Sequence, residues 1–149
     1  MGLTEAGAAD QPRVLQLMRE FYEIERLAYD FDVASRALGD LWNHPARGRI
    51  FLIEDAGVVV GYVVVAFGFS LEFHGRDALV DELYIREAHR RRGLGSDCLS
   101  RVEEICRRDG IRAVHLEVDR TNLPVKEWYH RMGFVDHDRH LLTKWLDPH

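Results

Sequence analysis

The chain has 149 residues, of which 46% are hydrophobic, 10% aromatic and 30% charged, a composition that excludes bulk disorder and predicts one compact domain over residues 1–149. The formal net charge of -5 argues against a dedicated nucleic-acid-binding protein, and two cysteines are too few for a disulfide scaffold. The apolar stretches are too short to span a bilayer, and the first residues do not resemble a signal peptide. We therefore expect a cytoplasmic protein without a membrane partner.

The N-terminal third of the chain carries the periodicity of two amphipathic helices. Apolar residues recur every three or four positions after Asp10-Gln11-Pro12, an N-cap followed by an early-turn proline, and this pattern predicts a helix that ends near Arg26. A weaker pattern predicts a second helix over residues 33–41, with Asp32 as its N-cap.

Four strands are predicted after these helices, at residues 49–54, 58–67, 78–85 and 113–118. The turn Asp55-Ala56-Gly57 joins the first two strands in a β-hairpin. Residues 68–77 are expected to form an irregular connection or an extension of a strand, and residues 134–146 have room for one or two further strands.

Two more helices are predicted in the second half of the chain. Apolar residues at helical spacing indicate an amphipathic helix from Leu94 to Gly110, and a short helix over residues 124–132 is closed by Gly133. A strand, a helix and another strand thus follow an antiparallel hairpin, and this order predicts an α/β fold with a mixed sheet.

The segment Arg90-Arg91-Arg92-Gly93-Leu94-Gly95-Ser96, called the arginine–glycine loop below, lies between a predicted strand and a predicted helix. Glycines let the backbone approach a ligand closely, and a helix N-terminus offers unpaired N–H groups at the positive end of its dipole. This combination suits a pyrophosphate, although a plain strand-to-helix turn is the alternative interpretation. The loop lacks both the Gly-Lys-Ser/Thr of a Walker loop and the three-glycine spacing of a dinucleotide fingerprint.

The loop resembles the acetyl-CoA loop of the GNAT superfamily of N-acetyltransferases, R/Q-x-x-G-x-G/A, whose pattern Arg90, Gly93 and Gly95 fill. Farther along, Asn122-Leu123-Pro124 and the run from Trp128 to Phe134 look like the superfamily's N…xxYxxxGF segment. The similarity extends from about Leu79 to Phe134, and the predicted N-terminal helices and hairpin fit the remainder of that fold.

The resemblance implies an α/β (α+β) GNAT fold with a mixed central sheet of about six to seven strands, helices on both faces and a splayed strand pair at the acetyl-CoA site. It also implies a homodimer. Acetyl-CoA would be the acetyl donor, with its pyrophosphate on the loop amides and its pantetheine arm along the preceding strand. The implied acetyl-CoA-binding residues are Leu83, Tyr84, Ile85, Arg90, Arg91, Arg92, Gly93, Leu94, Gly95, Ser96, Asn122 and Tyr129.

Within the superfamily, the sequence is most similar to diamine (spermidine/spermine) acetyltransferases. These carry paired acids in the strand before the loop, as Asp81-Glu82 do here, and an N-x-P motif followed by F-Y-x-R-x-G. The sequence differs at Trp128, which replaces the phenylalanine, and in residues 68–77, where the superfamily shapes its acceptor pocket. The resemblance places Asp81 at the position of the base-like glutamate and Glu82 at that of an adjacent substrate-contacting acid.

Acetyl transfer requires that an ammonium lose a proton before the amine attacks the thioester, and a carboxylate in a partly dry cleft can accept that proton directly or through water. Asp81 and Glu82 interrupt an apolar strand, and because consecutive strand residues face opposite ways, only one is expected to line a given cleft. A strand-edge acid paired with an arginine is the alternative for each, and Glu117 is a third candidate base. By resemblance, Tyr129 would protonate the departing thiolate, although it could also be an ordinary buried tyrosine.

The residues expected to contact the acceptor are Glu72, Phe73, Asp81 and Glu117. No metal is expected, because His137 and Asp138 would face opposite ways on a strand and no third convergent ligand is visible. The sequence therefore favours an N-acetyltransferase acting on a small cationic amine such as a polyamine, a diamine or an amino acid. A protein lysine or N-terminal acetyltransferase and a non-catalytic acyl-CoA-binding regulator are the alternatives.

Overall fold

A computed structural model describes residues 1–147 of the chain. The strands are β1 (Gly2–Glu5), β2 (Gly48–Asp55), β3 (Val58–Ser70), β4 (Gly75–Ile85) and β5 (Ala113–Leu116). The helices are α1 (Gln11–Ile24), α2 (Phe31–Asn43), α3 (Leu94–Arg108) and α4 (Leu123–Arg131). Short 3-10 helices at Ala8–Asp10 and Glu87–His89 precede α1 and the arginine–glycine loop.

The described residues fall into two compact units, one over residues 1–117 and a smaller one that begins at Val118. The larger unit contains the whole sheet together with α1, α2 and α3, and the smaller unit contains α4. The single domain expected over residues 1–149 stays a prediction. No helix within residues 1–147 has the length and apolarity needed to cross a bilayer.

The sheet has the order β1-β2-β3-β4-β5, in which β4 and β5 are parallel and all other neighbours are antiparallel. This arrangement confirms the predicted mixed α/β fold. The edge strand β1 was not predicted, because Gly2-Leu3-Thr4-Glu5 is short and only its pairing with β2 makes it a strand. Residues 68–77, expected to form an irregular connection or an extension of a strand, extend β3 and β4 into one long hairpin, with a turn at residues 71–74.

A β-bulge at Asp81 marks the place where β4 and β5 separate. Val64 pairs with Glu82 and Val65 with Val80, so Asp81 is the extra residue on β4. The parallel pairing with β5 ends at the adjacent pair, Val80 and Leu116, and the remaining described residues of β4 pair only with β3. This separation agrees with the splayed strand pair that was expected.

Helices cover both faces of the sheet, as expected. Helices α1 and α2 bury one face in a cluster of Val14, Leu15, Leu17, Met18, Ala34, Leu38, Ile50, Leu52, Tyr62 and Tyr84. Helix α3 lies on the other face. Adjacent residues of a strand point to opposite faces, so Arg49 points away from the face that Ile50 shares with α1 and α2. Arg49 forms a 3.1 Å ion pair with Asp109 at the end of α3.

Two local predictions were wrong. The N-cap of α2 is Asp30, whose side chain accepts a 3.0 Å hydrogen bond from the Val33 N–H, and Asp32 lies in the first turn. The sheet has five strands among residues 1–147 rather than six to seven, because residues 134–147 form none. There Asp138 has a φ of +48°, which interrupts an extended strand, and Asp136 forms a 3.0 Å ion pair with Lys126 of α4.

Candidate active site

The arginine–glycine loop turns the chain from β4 into α3 through a left-handed residue. Gly93 is the N-cap of α3 with a φ of +77°, and no side chain forms a capping hydrogen bond there. A Cβ at Gly93 would meet no atom within 4 Å, so the space beside the backbone is open. The start of this 15-residue helix therefore presents backbone N–H groups and a positive dipole end, which fit an anionic group such as a pyrophosphate.

Two of the three arginines in this loop bind to other parts of the protein. The Arg90 Nε atom donates a 2.7 Å hydrogen bond to the Ile85 carbonyl, and an Arg92 Nη1 atom lies 2.7 Å from an Asp55 carboxylate oxygen. Asp55 belongs to β2, so Arg92 attaches the loop to a neighbouring part of the sheet. These contacts show that the arginine run orders the loop, a role that the sequence pattern did not indicate.

One edge of the end of β4 that leads into this loop is not paired with β5. Leu83, Tyr84 and Ile85 pair with β3 on one side, and their other side is beyond the last pair with β5. Gly61 on β3 allows the β3 and β4 backbones to approach each other closely, since a Cβ at Gly61 would lie 2.0 Å from the Tyr84 carbonyl oxygen. The Ile85 carbonyl on this edge already accepts the Arg90 hydrogen bond, and the other backbone groups of the edge are available to an extended ligand that carries amide groups.

Two tyrosine hydroxyls hold Glu82 on the face of the sheet that α1 and α2 cover. The Tyr22 hydroxyl of α1 donates a 2.5 Å hydrogen bond to one carboxylate oxygen, and the Tyr62 hydroxyl of β3 donates a 2.6 Å bond to the other. Asp81 is exposed, yet its charge raises the pKa values of both tyrosines. The bulge interrupts the strict alternation assumed from the sequence, so both acids act on the same cluster.

Burial controls the protonation of this cluster. It raises the pKa of Glu82, while the two tyrosine hydrogen bonds partly offset the rise and the Asp81 charge adds to it. Desolvation by neighbouring groups also raises the pKa of Asp81, although its surface remains exposed. Burial and the nearby Glu82 carboxylate raise the pKa values of Tyr22 and Tyr62, so both hydroxyls stay protonated as donors.

A second polar contact fixes α1 against β4. Glu20 accepts two 2.9 Å hydrogen bonds from the Arg86 guanidinium and a 3.1 Å bond from the Tyr84 hydroxyl. These bonds, chiefly the one from Arg86, lower the pKa of Glu20 and keep it ionised. Sequence reasoning missed this contact as well as Tyr22 and Tyr62. The partners in each hydrogen bond are twenty or more positions apart, and both tyrosines lie in segments that are otherwise apolar.

The other residues predicted to contact the acceptor lie elsewhere in the larger unit. Glu72 and Phe73 occupy the turn between β3 and β4, roughly 20 Å along β4 from Asp81 at about 3.3 Å per residue. The Phe73 ring packs against His115, with 4.5 Å between ring centroids. Glu117 follows β5 directly. The substrate roles of these residues stay predictions.

In the smaller unit, Asn122 and Tyr129 belong to α4 and its surroundings. The Asn122 side chain caps α4 by accepting a 3.4 Å hydrogen bond from the Val125 N–H. The Tyr129 ring stacks on Trp128 at a centroid distance of 4.7 Å and meets the edge of Phe134 at 5.8 Å. Partial burial raises the pKa of Tyr129, which therefore carries its proton at neutral pH. Their roles toward acetyl-CoA stay predictions.

The histidines of the smaller unit do not form a metal centre in the described part of the chain. No group of three His, Cys, Asp or Glu side chains within residues 1–147 is placed to hold a metal ion. The His140 ring lies 2.7 Å from an Arg120 nitrogen. The absence of a metal from the reaction stays an expectation.

Comparison with known proteins identifies relatives along nearly the whole chain. Thialysine N-epsilon-acetyltransferase of Bos taurus is 25% identical over 143 residues, which cover 90% of this chain and 84% of that protein. L-methionine sulfoximine/L-methionine sulfone acetyltransferase of Salmonella typhimurium is 31% identical over 87 residues, which cover 58% of this chain and 50% of that protein.

Among solved structures, an integron cassette protein from the mobile metagenome of Cole Harbour Salt Marsh superposes with a TM-score of 0.86 and 36% sequence identity. The superposition covers 98% of this chain and 91% of that chain. The sequence profile of the acetyltransferase (GNAT) family matches residues 12–134, which include the acid pair, the arginine–glycine loop and α4. The chain therefore belongs to the GNAT family of acetyltransferases.

Proposed function

We propose that this protein transfers the acetyl group of acetyl-CoA to the primary amine of a small cationic molecule, such as a polyamine, a diamine or an amino acid. The observation that carries the proposal is the position of Asp81 and Glu82 at the bulge where β4 separates from β5. The same strand leads, through the short 3-10 helix Glu87–His89, into the arginine–glycine loop. Relatives named for acetylating thialysine or methionine sulfoximine support a small amine-bearing acceptor.

The loop and the free edge of β4 fit the donor. The backbone amides of residues 91–96 would bind the pyrophosphate, because the N-terminus of α3 has no side-chain cap and Gly93 leaves open space beside it. The unpaired edge of Leu83–Ile85 would pair with the amide-bearing arm of the molecule. Bound acetyl-CoA supplies the thioester that an amine attacks.

The acid pair fits a cationic acceptor. Asp81 is exposed and Glu82 is partly buried beside it, so an ammonium approaching the bulge meets two carboxylates. The amine must lose one proton before attack, and a carboxylate whose pKa burial has raised is a better proton acceptor than an ordinary one. This assignment reverses the roles that the resemblance implies: exposed Asp81 would hold the cation, and the less exposed Glu82 would take the proton.

The amine would attack the thioester directly, without an acetyl-cysteine intermediate. Cys98 and Cys106 are buried on α3, and burial raises the pKa of the Cys98 thiol to about 12. A thiol in that state is a poor nucleophile at neutral pH. The Tyr129 hydroxyl would donate its proton to the departing thiolate, since its raised pKa keeps it protonated.

A turnover assay over a panel of amines tests the proposal. Release of free CoA thiol is measured with diamines, polyamines, amino acids with a second amine, and lysine-containing peptides as acceptors. The proposal expects the highest kcat/KM with a small dication or polycation. Turnover with peptides alone would indicate a protein acetyltransferase, and tight acetyl-CoA binding without any turnover would indicate a non-catalytic regulator.

The expected homodimer is also part of this proposal. Sedimentation equilibrium of the full chain across a range of concentrations tests it, and a single species with the 17.3 kDa mass of one chain at all concentrations would contradict it.

A further inference from the structure

The two tyrosines that hold Glu82 differ in their access to solvent. Tyr62 lies in the middle of β3 and is 0% exposed, whereas Tyr22, on the last turns of α1, keeps part of its surface exposed. Their hydrogen bonds to Glu82 are nearly the same length, 2.5 Å for Tyr22 and 2.6 Å for Tyr62. Each occupies a different carboxylate oxygen, so neither oxygen is without a tyrosine donor.

The position of Tyr22 is fixed independently of Glu82. One half-turn earlier on α1, Glu20 is held by Arg86 through two 2.9 Å hydrogen bonds. The Tyr22 ring also meets Phe21 and Tyr29 edge to face, with centroid distances of 5.9 and 6.0 Å. The phenol therefore reaches Glu82 from a rigid element and in one orientation.

We propose that Tyr22 relays the acceptor's proton to Glu82. The acceptor ammonium gives a proton to the Tyr22 Oη atom while the proton already on that oxygen passes along the existing hydrogen bond to the Glu82 Oε2 atom. One N–H bond and one O–H bond break, and two O–H bonds form. The amine is left neutral, Tyr22 is unchanged and Glu82 becomes a neutral carboxylic acid. This inference rests on the proposed function, because it requires an ammonium acceptor.

The electrostatics of the cluster favour a relay over a free tyrosinate. The charged and titratable groups that face Tyr22 and Glu82 are Asp81 on β4, Tyr62 on β3 and Tyr29 after α1. The carboxylates and the burial raise the pKa of Tyr22 far above neutrality, so the hydroxyl does not ionise by itself. It can accept a proton only as it gives one to Glu82.

Tyr62 provides a matched control, because Tyr22→Phe and Tyr62→Phe each remove one hydroxyl hydrogen bond from the same carboxylate. Each lost bond is one that lowers the pKa of Glu82, so the acid limb of the pH–rate profile should move to higher pH in both variants. Only Tyr22→Phe removes the relay, whereas Tyr62→Phe removes a contact that positions Glu82. We expect the plateau kcat of Tyr22→Phe to fall by roughly 10²-fold or more, within the range for a lost acid–base group, and at least roughly tenfold further than that of Tyr62→Phe.

A double variant separates an effect of Tyr22 that is exerted through Glu82 from an effect that is independent of Glu82. If Tyr22 acts through Glu82, Tyr22→Phe combined with Glu82→Gln should be no slower than Glu82→Gln alone, with an unchanged KM for acetyl-CoA in every variant. Thermal melting confirms that each variant is folded. Tyr22 is partly exposed, so its substitution should destabilise the fold less than substitution of the fully buried Tyr62.

Equal plateau losses in the two phenylalanine variants, full activity of Tyr22→Phe, or an additive double variant would each overturn the relay while leaving the acetyltransferase proposal intact. A wild-type protein that acetylates no amine would overturn both.

Discussion

Alanine at Gly93 tests whether the start of α3 binds the donor. Gly93 has a φ of +77°, a conformation that costs an alanine about 1–2 kcal/mol. No atom lies within 4 Å of the added Cβ, so the cost comes from the backbone alone. Gly110, just beyond the other end of α3, is a matched control with a φ of +78° and equally open space.

The two variants should be equally destabilised and differ only in binding. A loss of 1–2 kcal/mol lowers the Tm by about 2–8 °C at roughly 2–4 °C per kcal/mol for a chain of this size. If the Gly93 Cβ displaces one backbone N–H from a phosphate oxygen, the lost charged hydrogen bond is worth about 1.5–3 kcal/mol. The Kd for acetyl-CoA should then rise by about 10- to 150-fold in Gly93→Ala alone.

Isothermal titration calorimetry with acetyl-CoA, performed below both melting temperatures, measures this difference. Thermal melting of the two variants without acetyl-CoA verifies that the backbone strain lowers the Tm of both by the same amount. Wild-type affinity in a folded Gly93→Ala protein, or an equal loss of affinity in Gly110→Ala, would refute the assignment of the loop.

Three further expectations follow from the acid pair and from Tyr129. Glu82→Gln should lower kcat by roughly 10²–10⁴-fold, and Asp81→Asn should mainly raise the KM for the amine. Both variants should keep the wild-type affinity for acetyl-CoA, measured by calorimetry. Unchanged turnover in both variants would mean that the base is Glu117 or water. Tyr129→Phe should lower kcat and leave the KM for acetyl-CoA unchanged, and full activity would remove Tyr129 from the mechanism. Burial raises the pKa of Glu82 in the folded protein above its value in the unfolded chain. The contribution of Glu82 to the free energy of unfolding is therefore greatest at a pH where Glu82 is neutral, and this contribution falls as the pH rises through the folded pKa. The Tm of Glu82→Gln relative to that of wild type should therefore be higher at about pH 8 than at about pH 4, and an equal difference at both pH values would contradict the raised pKa.

Local sequence patterns predicted the parts of the fold that local physics determines. The helical stripe of α1, the hairpin at Asp55-Ala56-Gly57 and the amphipathic α3 that ends before Gly110 all appear close to their predicted bounds. The glycine at the start of α3 has the left-handed conformation that only glycine adopts readily. Each of these features depends on periodicity or backbone preference within a few residues.

Features that depend on pairing between distant segments could not be predicted. Strand β1 exists because Gly2–Glu5 pairs with β2, nearly fifty residues away, and the residues themselves carry no strand pattern. The bulge at Asp81 changes which way Glu82 faces, and no local pattern at Asp81-Glu82 reveals it.

Only part of the candidate site could be predicted from the sequence, because the rest depends on contacts between distant residues. The acid pair and the loop are contiguous motifs, whereas the hydrogen bonds to Glu82 come from Tyr22, sixty residues earlier, and from Tyr62, twenty residues earlier. In the sequence both tyrosines read as members of apolar segments. Their hydroxyls gain a role only when α1 and β3 bring them to one carboxylate.

The central claim is that this chain acetylates a small cationic amine by using the acid pair of β4. Mass spectrometry of a reaction that contains the full chain, acetyl-CoA and a diamine tests this claim most directly. We expect a product whose mass corresponds to one added acetyl group, formed in proportion to the CoA released, and strongly reduced in Glu82→Gln. An unmodified diamine after prolonged incubation with enzyme that binds acetyl-CoA, or equal product from Glu82→Gln, would contradict it.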